Sequence, residues 1–152
     1  MGDNMSFGRH PRPQRPPGPS GRNFAHITNS GGVIAVLNEG TDVTFPSFQN
    51  IGEGITINEA NDRLTVEHPG NYYIAYSVNT TNSLSLFTRL LINRRPINAA
   101  TIRPVTSRTQ FNNDIILPLE AGDTISLQLF GFVGTATLLT GAGATLSVFK
   151  IN

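Results

Sequence analysis

Gly70-Asn71-Tyr72-Tyr73-Ile74-Ala75-Tyr76-Ser77-Val78-Asn79 decides the fold class. Tyr72, Ile74, Tyr76 and Val78 fall on one side of an extended chain, and Tyr73, Ala75, Ser77 and Asn79 on the other. Side chains of a strand alternate between faces, so this period of two, rich in aromatic and β-branched residues, predicts a strand with one buried face. Pro69-Gly70 ahead of it is turn chemistry.

The same pattern recurs in both directions. After Gly122-Asp123, Ile125, Leu127 and Leu129 alternate with Thr124, Ser126, Gln128 and Phe130. Phe87 to Ile92 is a third run, closed by the turn Asn93-Arg94-Arg95-Pro96. Ala144 to Ile151 is the last, with Leu146 and Val148 opposed to Phe149 and Ile151. Shorter strands are expected at 33–37, 55–58, 63–66, 98–102, 109–117 and 135–139. No segment has convincing helical periodicity. About ten strands at this spacing predict an all-β, two-sheet sandwich. The final strand is placed to sit centrally in a sheet.

Residues 1–23 read differently. Pro11, Pro13, Pro16, Pro17 and Pro19 are interleaved with Arg9, Arg12 and Arg15, and no apolar periodicity is present. Such a stretch buries too little to offset its ordering entropy, so a disordered Pro/Gly/Arg-rich tail is expected. The domain reading is a tail over 1–23 and one globular domain over 24–152.

Composition narrows the function. The 152 residues hold no cysteine, which excludes disulfides and thiolate metal sites. Net charge is +1 and only 14% of residues are charged, so no global field draws the chain to nucleic acid or membrane. No apolar run is long enough to cross a membrane as a helix, and the N-terminus lacks the apolar region of a secretory signal peptide.

Four segments together resemble the tumour-necrosis-factor-like jelly roll. They are Pro69 to Ile74, Leu90 to Asn93 with its following turn, Leu119-Glu120-Ala121-Gly122-Asp123-Thr124-Ile125-Ser126-Leu127, and Gly143 to Ile151. Within that superfamily the sequence is most similar to the C-terminal heads of bacterial collagen-like spore-surface proteins of the BclA type. The resemblance implies a homotrimer at a spore surface, in the exosporium or outer coat. The sequence has no long G-x-y stalk, only the 16–21 fragment, and no clear copy of an exosporium-anchoring motif. A free-standing or basal-layer trimer is therefore expected.

No residue set is poised for catalysis. His10 lies in the tail, His26 near the first strand, and His68 in a turn, each without a recognisable partner nucleophile. Glu59, Asp62 and Glu67 read as turn and solvated carboxylates, and Asp123 as a turn cap. No oxygen-rich loop of calcium-binding spacing is present, so no metal and no cofactor is expected.

The apolar surplus is more informative. Tyr73, Phe87, Phe130, Phe132, Phe149 and Ile151 fall opposite the better-patterned core faces. Either loops cover them or a second copy does, since a large exposed apolar patch is unusual on a monomer. A threefold interface formed by these six is the expectation. Two functions follow. One is a non-enzymatic structural surface trimer, with other spore-surface proteins as possible partners. The alternative is a trimeric recognition module, such as a phage-fibre tip, that binds glycan or a receptor through loops at 39–42, 80–85 or 103–109.

Overall fold

A computed structural model describes residues 22–152. Thirteen strands and no helix make up this part: β1 (Phe24–Asn29), β2 (Gly32–Val36), β3 (Thr41–Asp42), β4 (Phe48–Ile51), β5 (Ile55–Ile57), β6 (Leu64–Val66), β7 (Gly70–Leu84), β8 (Phe87–Ile92), β9 (Arg95–Ile102), β10 (Arg108–Leu119), β11 (Thr124–Phe130), β12 (Gly134–Leu138) and β13 (Ala144–Lys150). Every strand pairing is antiparallel. Two sheets stack as a jelly-roll sandwich. In the first, β7 lies between β10 and β13, β13 continues to β1 and β1 to β4, while β12 and β2 extend the sheet beyond the far end of β7. The second runs β5-β6-β11-β8-β9, with β3 also on β11.

The strand β7 shows why the sequence folds this way. Tyr72, Ile74, Tyr76 and Val78 are buried, as their alternation requires. They meet Leu90, Ile125, Leu127 and Leu129 of the opposing sheet in one core. Tyr76 spans the sandwich: its hydroxyl is 2.9 Å from Thr88 Oγ1 and donates to the Ala100 carbonyl at 3.2 Å. This satisfies a polar group that would be costly to bury unpaired.

The last strand, β13, sits between β7 and β1, tying the C-terminus into the sheet centre. Sequence reading did not resolve β1, β3 and β4 as separate strands. β1 is short, and its inward side ends on a buried polar residue, Asn29, whose amide donates to the Thr44 carbonyl. β4 reads as loop because Gln49 and Asn50 dominate it; it is an edge strand with exposed side chains.

Turn chemistry fixes the hairpins. Asn93 and Arg94 both have positive φ, 54° and 66°, in the two-residue connection of β8 to β9. A tight hairpin turn of this hand requires that conformation at both positions. The Asn93 side chain bonds Asp123 and the Thr124 amide. Asp123 accepts from the Glu120 amide at 2.8 Å, closing the turn that opens β11. The expected tail lies outside the described residues except at its end. There Asn23 is fully buried against His68, with Asn23 Oδ1 2.9 Å from His68 Nδ1, so Asn23 belongs to the folded unit.

Candidate functional site

The outward face of β4-β1-β13-β7-β10 carries the exposed apolar side chains Phe48, Ile116 and Phe149. Register sets its rows. Phe24 of β1 stands opposite Phe149 of β13, Phe149 opposite Tyr73 of β7, and Tyr73 opposite Ile116 of β10. Cross-strand partners share a face, so these four form one continuous apolar row across four strands. The Tyr73 and Phe149 rings lie 5.1 Å apart. Phe149 remains 46% exposed and Ile116 58%. Ile151, just beyond β13, is 48% exposed.

The next row is polar and paired. His26, Ser147, Ala75 and Asp114 follow in register, with His26 Nδ1 2.6 Å from Ser147 Oγ. The Tyr73 hydroxyl donates to Asp114 Oδ2 at 2.7 Å, linking the two rows. That bond, with lesser contributions from desolvation and the Asp114 charge, holds the Tyr73 phenol above its ordinary range. A third row holds Phe48, Thr28, Thr145, Ser77 and Asn112, with Ser77 and Thr145 hydroxyls 2.8 Å apart. A shallow cavity of about 330 Å³ opens on this face between Tyr73, Ala75, Asn112 and Asp114.

The six residues picked from sequence do not form one surface. Tyr73 and Phe149 are neighbours on this face, and Ile151 follows Phe149 in the chain. Phe87 and Phe130 are a correction. They pair with each other on β8 and β11, in the second sheet, with ring centroids 5.5 Å apart. Their neighbours Thr88 and Leu129 point into the core, so both rings turn to the opposite side of the sandwich from Tyr73. Phe132 is partly buried and packs against the core. Phe24, Phe48 and Ile116, which the sequence did not single out, also lie on this face. In Ile115-Ile116-Leu117 no alternation is visible, so the outward residue cannot be told from its neighbours.

This face has no catalytic geometry in evidence. His26 meets Ser147, but no carboxylate is among the hydrogen-bond partners of His26, and the pair lies on an open sheet surface. Among the described residues no group of three or more metal-ligating side chains is placed to hold an ion. Arg94 grips Asp42 through two nitrogens, at 2.6 and 3.2 Å. No helix among the described residues is long and apolar enough to cross a membrane.

Comparison with solved structures places the sandwich among known folds. Murine APRIL superposes with a TM-score of 0.64 at 16% identity, over 86% of this chain and 99% of that one. The Eiger TNF of S. frugiperda gives 0.62 at 14% identity, over 86% and 93%. The globular domain of zebrafish complement 1qA gives 0.60 at 17% identity, over 86% and 98%. At these identities the likeness shows the fold, which is tumour-necrosis-factor-like. No curated protein matches the sequence. Residues 24–152 match the family model of the BclA C-terminal domain, and the chain belongs to that family.

Proposed function

We propose that this chain is a non-enzymatic, homotrimeric head of the spore outer layer, with residues 24–152 as its trimerisation domain. The observation that carries the reading is the Phe24–Phe149–Tyr73–Ile116 row. An apolar row across four strands of an outward sheet face has no covering partner among the described residues. Cyclic self-association covers such a face on every copy and leaves none open. Membership of the BclA C-terminal domain family supports both the trimer and the spore surface.

The test has two arms. Light scattering after gel filtration is expected to give a trimer mass for the native chain and a monomer mass for Ile116→Asp. An unchanged trimer in Ile116→Asp removes this face from the interface. Antibody labelling of intact spores is expected to decorate their surface. Labelling only after the spores are broken refutes the location.

A further inference from the structure

On the opposite side of the sandwich, two guanidinium groups share one aromatic ring. Arg89 Cζ stands 3.9 Å from the Phe130 ring centroid and Arg103 Cζ 5.3 Å. Phe87 packs edge-on to Phe130. Gly131, at φ 73°, passes so close over Phe87 that a Cβ there would collide with the ring. The ring pair is therefore held in place by backbone.

Arg89 is held too. Its Nε donates to Gln128 Oε1 at 2.8 Å. Gln128 is buried, and its amide nitrogen faces Asp42 Oδ1 at 3.4 Å, which turns its oxygen toward Arg89. Asp42 is the acid this hydrogen-bond chain reaches, and Arg94 already engages both of its oxygens. Among the described residues, neither Arg89 nor Arg103 forms an ion pair. Among the described residues, two like charges thus sit together with no acid paired to either. Desolvation, then repulsion from Arg103, pushes the Arg89 guanidinium below its ordinary value.

We infer that Arg89 and Arg103, with the Phe87–Phe130 pair beside them, form a binding site for a carboxylate-bearing sugar. A carboxylate between the two guanidiniums relieves their repulsion and takes charge-assisted hydrogen bonds from the Arg89 Nη atoms, which the Gln128 bond leaves free, and from Arg103. With their faces taken by the guanidiniums and by Gly131, the partly exposed rims of Phe130 and Phe87 offer an apolar border for the C–H face of a pyranose. A peptide carboxylate fits less well. β8 and β11 are each paired on both sides, so neither offers a free strand edge for a peptide backbone. The net charge of +1 speaks against nucleic acid. The site lies on the sheet opposite the proposed interface and stands or falls independently of it.

The test is a side-chain NMR titration of the full chain with glucuronic acid, with glucose as the neutral twin and a tetraglutamate peptide as the competing anion. Glucuronate is expected to shift the Arg89 Nε–H and Phe130 ring signals saturably, more weakly at higher salt, while glucose leaves them still. Arg103 is exposed, so R103Q is expected to keep the native oligomer mass while weakening glucuronate at least about tenfold, the effect of losing one charged contact. Equal responses to glucose and glucuronate overturn the inference. So does an unchanged glucuronate affinity in R103Q, or binding of the peptide alone.

Discussion

Replacing Phe149 by alanine measures what the apolar row contributes to assembly. Phe149 is 46% exposed in the single chain. On a phenylalanine of roughly 200 Å², that leaves about 90 Å² for a neighbour to cover. At about 25 cal/mol per Å², covering it is worth about 2 kcal/mol per protomer, and so about 6 kcal/mol per trimer. Every 1.4 kcal/mol is a factor of ten, so the trimer constant falls by roughly four decades. Because that constant scales with the square of monomer concentration, the half-dissociation concentration rises by about 100-fold. Sedimentation equilibrium over a dilution series reads this shift directly. The chain itself is expected to stay folded, since the removed ring lies on the surface of the monomer. A Phe149→Ala midpoint within about threefold of the native one would mean that the ring stays in water in the assembly and that this face is not the interface.

Three further outcomes follow from individual contacts. Tyr76→Phe strips the hydroxyl that bonds buried Thr88 and the Ala100 carbonyl, and should cost about 1–3 kcal/mol in a urea unfolding curve with little change in oligomer mass. Asp123→Ala removes the acceptor of the Glu120 amide and of the Asn93 side chain, and should cost about 1 kcal/mol by the same assay. The third concerns pH. The Tyr73 phenol is raised above 10.0, so the folded state keeps its proton longer than the unfolded chain does. Its contribution is fully present below pH 10.0 and is lost as pH rises through the raised value. Alkaline titration above that point should weaken the assembly, and Tyr73→Phe should remove this dependence in a light-scattering titration.

Much of the sandwich is legible in the sequence where alternation is clean. β7, β11 and β13 each carry inward residues at every second position between turn residues, and the core follows from them. The edge strands β3 and β4 were not legible, because edge strands in water need no apolar pattern. The site divides on similar grounds. Tyr73 and Phe149 are readable as outward residues, because their neighbours are so plainly core. Phe87 and Phe130 satisfy the same test, yet they face the other way. Alternation separates inside from outside; it does not say which of two sheets a strand joins. That assignment is tertiary, carried here by the pairing of β8 with β11 rather than with β7. Ile116 was hidden by an apolar run, and the Arg89–Phe130–Arg103 cluster by the distance between its members in the chain.

In the proposed trimer the outward face of β4-β1-β13-β7-β10 is covered by copies of the same chain. Light scattering of the native protein at micromolar concentration tests it most directly. A mass three times that of the 16.4 kDa chain is expected. A mass of 16.4 kDa would contradict it.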